Sequence, residues 1–277
     1  MFSLFALASS LVWGTSDFLA GVKAKSLPAA AIVGWSQAVA LVVMTIAVLL
    51  RSPHFADGPW WVWAGVAGMS GSSALICFYA ALSTGSMGVV APIASLGVLV
   101  PVTLGVLEGE QPGSVTWLGI LVAIIGVLLA SGPELDGSVS RRPVALAVAA
   151  GTGFGVTLYS VDRGSGYSVI NTMWGMRLTS VILFACAALV LRKTGGVGRG
   201  DAPMLVVIGL ADLLANVLYG LASSRGLVSV ASVLGSLYPV VTSALAYVVL
   251  HERLRRVQVV GAATTVAGVV LIAAGSG

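Results

Sequence analysis

Apolar positions along this chain come in runs of about twenty residues, and polar positions are confined to brief interruptions between them. The runs fall at about 2–21, 29–50, 60–83, 88–107, 114–131, 143–162, 168–191, 203–224, 228–250 and 257–275, each near the ~20 residues that span a hydrocarbon core. The breaks carry charge or turn chemistry, as in Lys23-Ala24-Lys25, Arg51-Ser52-Pro53 and Arg192-Lys193. None is long enough for a soluble domain; the largest, at 132–142 and 192–202, hold about ten residues. Backbone groups in lipid must be satisfied within the protein, and the runs show no period-2 alternation, which excludes a barrel. The pattern predicts an all-α membrane protein of about ten transmembrane helices. Met1 to Trp13 lacks the basic start of a secretory signal and reads as the beginning of a retained helix.

The pattern also repeats. Glu110, Gly119 and Gly126 follow the fourth run, and Glu252, Gly261 and Gly268 follow the ninth, both as Glu-x8-Gly-x6-Gly. An offset of 142 relates these triplets and also pairs Val127 with Val269 and Leu129 with Leu271. Upstream, an offset of 141 pairs Gly14 with Gly155, Ala81 with Ala222, Ser83 with Ser224, Gly85 with Gly226, and Ser95 with Ser236. The two repeats are 1–138 and 139–277. Five helices is an odd number, so the second repeat enters the membrane from the opposite side. Inverted repeats with a solute site between them, near the midplane, are a common construction of secondary transporters.

Composition narrows the choice. Hydrophobic residues make up 58% of the 277 and charged residues 9%, with a mean hydropathy of +1.04. A soluble domain carries about a quarter charged residues, so the solvent for most of this surface is lipid. The net charge of +4 comes from loop residues that form no basic face, and no nucleic-acid partner is expected. Cys77 and Cys186 lie inside apolar runs and read as packed thiols. No phosphate-binding loop, metal spacing or nucleophile elbow occurs, and His54 and His251 are both loop residues. Neither a cofactor nor a metal is expected, and an enzyme is disfavoured.

Polar groups inside apolar helices are expensive and should face the bundle interior. The eighth run carries Asp212, Asn216, Tyr219 and Ser223 on one helical face, and the ninth carries Ser232, Ser236, Pro239, Ser243 and Tyr247. In the first run Ser10, Trp13 and Asp17 share a side; in the third, Ser72, Tyr79 and Ser83 do. The fifth and tenth carry little beyond Thr116, Thr264 and Thr265. Asp212, near mid-span, reads as a proton- or cation-binding carboxylate or as a hydrogen-bonded tie between helices. Asp17 lies closer to its helix end, within reach of the interface. Arg177, the one base well inside a run, suits a pair with Asp212, a solute carboxylate, or a structural role. Trp13, Tyr79, Tyr219 and Tyr238 offer an aromatic lining or simple packing. With Ser95 and Ser236 added, the candidate substrate-binding set is Trp13, Asp17, Tyr79, Ser95, Arg177, Asp212, Asn216, Tyr219, Ser236 and Tyr238.

Trp13-Gly14, Gly109-Glu110, Glu252-Arg253 and the glycines after them resemble the drug/metabolite transporter superfamily, in its EamA-type ten-helix branch. The stretch from Ala231 to Thr242, leading to His251-Glu252-Arg253-Leu254, resembles it most closely. The resemblance implies five-plus-five inverted repeats and transport without ATP hydrolysis. It implies a central cavity lined by helices 1, 3, 4, 6, 8 and 9, with 5 and 10 peripheral. The chain departs from the pattern at His251, where glycine is usual, and at Phe154-Gly155, where Trp-Gly is. Pro239 precedes Glu252 by 13 residues whereas Pro101 precedes Glu110 by nine. Glu110 and Glu252 are expected to be structural, meeting the N-terminus of the next helix or a neighbouring arginine, and Pro239, Gly119, Gly126, Gly261 and Gly268 to serve packing.

Together these readings predict a secondary active transporter in the lipid bilayer of a bacterial cell (inner) membrane. It would export small metabolites such as amino acids or amphipathic compounds, with protons as a candidate coupling ion. An uptake permease is the alternative within that class; a polytopic membrane enzyme or scaffold is the alternative outside it. Orientation is contested. The resemblance implies cytoplasmic termini, which leaves Arg51, Arg163 and Arg225 inside and ten other basic loop residues outside. The positive-inside rule favours the reverse.

Overall fold

The computed structural model describes residues 2–50, 55–84, 87–130, 141–192, 195–250 and 256–275, and its secondary structure among these is entirely helical. Helices α1 (Phe2–Lys23), α2 (Ala29–Leu50) and α3 (Trp60–Thr84) are continuous. The fourth apolar run is broken into α4 (Met87–Ser95), a 3₁₀ turn at Leu96–Val98, and α5 (Leu99–Leu107). Next come α6 (Ser114–Ala130), α7 (Arg141–Leu191) and α8 (Ala202–Ser223). The ninth run is broken into α9 (Val228–Gly235) and α10 (Tyr238–Leu250), and α11 (Arg256–Gly275) ends the bundle. Several hydroxyls within helices bond back one turn, as Thr45 does to the Leu41 carbonyl at 2.8 Å, so these cost little in lipid.

Among the described residues six segments are long and apolar enough to cross a membrane: α1, α2, α3, α7, α8 and the stretch Val228–Val249. Shorter apolar helices cover Ile93–Leu107 and Ser114–Gly126. At 51 residues α7 would be about 76 Å long if straight, far beyond a ~30 Å hydrocarbon core. Ser168 breaks it with an extended backbone (φ −165°, ψ 119°), and its hydroxyl accepts from the Asn171 N–H at 3.3 Å to start the second part. The loop expected between the sixth and seventh runs is therefore a single residue. Helix persists through Gly164, whose missing side chain lets Thr172 Oγ1 come within 2.7 Å of the ideal Cβ position.

The longest packing seams join α3 to α7, α6 to α11 and α1 to α8. Gly119 and Gly126 on α6 and Gly261 and Gly268 on α11 are all buried. A Cβ at Gly268 would lie 2.7 Å from the Ala123 Cα, so these backbones touch. The two parts of the chain are also cross-laced. A Cβ at Gly14 on α1 would meet the Tyr238 carbonyl (2.7 Å) and Val241, whereas one at Gly155 on α7 would meet the Gly97 carbonyl and Val100 (2.7 Å). Each residue of the second trio lies 141 positions from its counterpart in the first. Each broken helix is thus gripped by the first helix of the other half.

Two stripes need correction. Ser83 is exposed at the end of α3, so only Ser72 and Tyr79 of its face are buried. Tyr247 on α10 is 52% exposed, and Thr242 rather than Ser243 is fully buried. The break between α9 and α10 resets the helical phase, so a spacing counted from Ser232 fails beyond it.

Candidate functional site

Asp212 lies on the inward face of α8, at its middle, and both carboxylate oxygens are engaged. Oδ1 accepts from Trp13 Nε1 of α1 at 3.3 Å and from Asn216 Nδ2 one turn on at 3.0 Å. Oδ2 accepts from Gln37 Nε2 of α2 at 3.2 Å and lies 3.0 Å from Arg177 Nη1 of α7. Arg177 closes the ring by donating to Gln37 Oε1 at 2.5 Å. Two partners come from before the 131–140 stretch and two from after it, so one buried carboxylate ties both halves together. Such a pair is held by its geometry, because losing one partner strands a charge in a low dielectric.

Asp17 sits one turn beyond Trp13 on α1 and is only 6% exposed, so it does not reach the interface as its place in the helix suggested. It accepts from the Tyr79 hydroxyl of α3 at 3.3 Å. Asp17, Asp212, Arg177, Asn216, Trp13, Ser236 and Tyr238 line a single cavity, whose wall also includes the apolar side chains of Leu75, Phe154, Leu158 and Met176. The arrangement offers a fixed ion pair, a second carboxylate with no cationic partner among the described residues, and an apolar wall. It can seat a small solute between the halves.

The EamA-like transporter family matches residues 1–132 and again 141–274. The chain belongs to that family. It is accordingly an integral, multi-pass membrane transporter of the drug/metabolite type built as two EamA repeats. A solved protein, titled only as the crystal structure of a protein, superposes with a TM-score of 0.80 at 20% identity, covering 99% of this chain and 97% of that one. That likeness is one of fold. No curated protein matches the sequence.

Within this EamA-like bundle the remaining candidates spread out. Arg177 reaches the cavity from the second part of α7, a helix that the resemblance does not assign to the lining. Tyr219 packs on Trp13 (ring centroids 5.8 Å) and shares a 2.7 Å hydrogen bond with Ser232, so it supports the cavity wall from behind. Ser95 is buried beside a smaller void that Ser236 also borders. Pro239 is buried in the first turn of α10, where a missing N–H costs nothing. Gln37 escaped the sequence reading, although a lone amide inside an otherwise apolar run is the kind of residue that marks a buried network.

Glu110 corrects a more specific expectation. Its carboxylate accepts from the N–H groups of Val228 (2.5 Å) and Ser229 (3.1 Å), the first residues of α9. It caps a broken helix of the other half rather than the helix that follows it. Glu252, its repeat partner, lies outside the described residues. On the same side, exposed Glu108 pairs with Arg163 and accepts from the Tyr159 hydroxyl, and this guanidinium holds the Glu108 carboxyl below its ordinary range. At the end of α1, Lys23 pairs with Asp201, just before α8, at 2.5 Å, which lowers the Asp201 carboxyl likewise.

Proposed function

We propose that this protein is a secondary active transporter that exports small metabolites, such as amino acids or amphipathic compounds, through the cavity between its repeats. The observation that carries the reading is the cavity itself, with Asp17 from one repeat and the Asp212–Arg177 pair from the other on its wall. Ionisable groups at such depth are costly, and a solute or ion pathway is their usual setting. On this reading the chain makes ten crossings, with α4 and α5 forming one, α9 and α10 another, and α7 two on either side of Ser168. The repeat boundary falls between 138 and 139, outside the described residues.

Protons are the proposed coupling ion, exchanged at Asp17 or Asp212, and the bacterial cell (inner) membrane is the proposed location. Export would be driven by the inward proton gradient. The test is flux from proteoliposomes under an imposed pH gradient, against a panel of amino acids and amphipathic metabolites. Gradient-dependent release of at least one class is expected. Flux that ignores the gradient for every compound would remove the coupling, and no flux at all would remove transport by this cavity.

A further inference from the structure

Arg177 is 1% exposed and lines the cavity, yet its hydrogen bonds all run through one nitrogen. Nη1 serves both Asp212 and Gln37. Nε and Nη2 are buried and have no hydrogen-bond partner among the described residues. These two nitrogens are not an arbitrary pair. They form the side-on edge of the guanidinium, where two N–H groups point nearly parallel and match the two oxygens of a carboxylate. A charged donor left unmet in a buried site is unfavourable, so this edge calls for an acceptor.

No described carboxylate supplies one. Asp212 is committed to the Nη1 side, and Asp17 takes the Tyr79 hydroxyl. Two more buried hydroxyls on the same wall, Ser72 Oγ and Tyr238 OH, also lack partners among the described residues. A carboxylate can accept from either of them. The neighbouring wall of Leu75, Phe154, Leu158 and Met176 suits a hydrocarbon body.

We propose that the solute of this cavity bears a carboxylate, which docks side-on against Nε and Nη2 of Arg177 with its apolar part on that wall. Arg177 is then a specificity-determining residue whose buried edge the solute must uncover on entering, and Asp212 and Gln37 are positioning residues that hold the guanidinium by Nη1. The proposal rests on the transport reading only in taking this cavity as the solute's seat.

The experiment uses the purified full-length protein and four probes of one shape: L-leucine and 4-methylpentanoate, which carry a carboxylate, and L-leucinamide and isoamylamine, which do not. Equilibrium binding should be saturable for at least one carboxylate. Its nearest carboxylate-free analogue, the amide, keeps one acceptor oxygen and should bind about 10- to 100-fold more weakly, as the loss of one charged hydrogen bond implies. Arg177→Lys keeps a cation beside Asp212 but removes the fork, and should weaken carboxylate binding by a similar factor while leaving any amine binding unchanged. If that variant does not fold, the acid-against-amide comparison on the unaltered protein decides alone. Equal binding of acids and analogues, binding undiminished in Arg177→Lys, or no saturable binding of either acid overturns the proposal. Flux of the same probes separates the two readings. Transport without acid preference keeps the transporter and removes the Arg177 dock; Arg177-dependent binding without transport does the opposite.

Discussion

Replacing Glu110 by alanine should loosen the joint between the two repeats. In α9 the N-cap residue, Leu227, offers no side-chain cap of its own. The Glu110 carboxylate takes the Val228 and Ser229 N–H groups instead, at 2.5 and 3.1 Å. Hydrogen bonds to a charged group contribute about 1.5–3 kcal/mol each when dry. Glu110 is half-buried at a helix end, where water can take over part of the task, and removing ordinary N-caps costs about 0.5–2 kcal/mol. The helix dipole adds about 0.3–1 kcal/mol. The sum, discounted for water, puts Glu110→Ala at about 2 kcal/mol of lost stability. Glu110→Gln, which keeps one acceptor oxygen, should lose about half of that. The measurement is the unfolding free energy in mixed micelles titrated with a denaturing detergent. Gly105 supplies an internal control, because a Cβ there would lie 2.6 Å from Glu110 Oε2 and 2.9 Å from Val228 Cγ1. Gly105→Ala should therefore displace the same carboxylate, and the double variant should lose less than the two single losses added together. A Glu110→Ala protein within about 0.5 kcal/mol of the parent, or strict additivity with Gly105→Ala, would refute the cap.

Four further outcomes are expected. Asp212→Asn should cost about 3–5 kcal/mol by stranding Arg177, whereas Asp17→Asn should fold normally; whichever carboxylate carries the coupling proton should lose gradient-driven flux in liposomes, and full flux in both variants and the double would exclude both. Gly155→Ala should destabilise by about 1–3 kcal/mol through overpacking on Val100 and the Gly97 carbonyl, read as reduced folded yield in detergent. Because Arg163 depresses the Glu108 carboxyl, its stabilisation is present above the ordinary glutamate value of 4.5 and fades as pH falls through the lower folded value; Glu108→Gln should flatten that acid limb, by no more than about 1 kcal/mol for so exposed a pair. Reporter fusions after Gly277, one active only in the cytoplasm and one only outside, should find the C-terminus inside if the family arrangement holds, and outside if the ten basic residues of the opposite loops decide.

The helices were legible because lipid imposes one rule at every position, and a run of apolar residues satisfies it as a helix wherever it occurs. Interruptions inside a run were not. The breaks at Leu96–Val98 and between Gly235 and Tyr238 carry no charge, and residues 163–167, where a loop was expected, are helical, the break falling at Ser168 just after them. Stripes of polar residues located the site only as far as the helix stayed in phase, which is why Asp212, Asn216 and Ser236 reach the cavity and Tyr247 faces outward. Gln37 was overlooked as a single amide among apolar neighbours, although it joins Asp212 to Arg177. Partners across the two repeats could not be read from spacing. The motif around Glu110 identified a structural carboxylate, but nothing local to it names α9.

Those cross-repeat partners explain how the site is kept in place. Gly14 of α1 presses against Tyr238 and Val241 at the start of α10, and Gly155 of α7 presses against Gly97 and Val100 at the start of α5. At each grip a glycine backbone meets a carbonyl oxygen and the Cβ of a valine, groups with little rotamer freedom to absorb a displacement. Both grips fall where a helix is already broken, so neither requires an intact hydrogen-bond ladder to bend. Trp13 adjoins Gly14 and holds Asp212, Phe154 adjoins Gly155 and lines the cavity, and Ser236 lies at the α9–α10 break itself. A shift of either broken helix must therefore move a residue that touches the cavity. The same shift is opposed outside the cavity by the Glu110 cap on α9, across the repeat boundary. The polar network and the joints between the repeats thus rest on adjacent residues of the same helices.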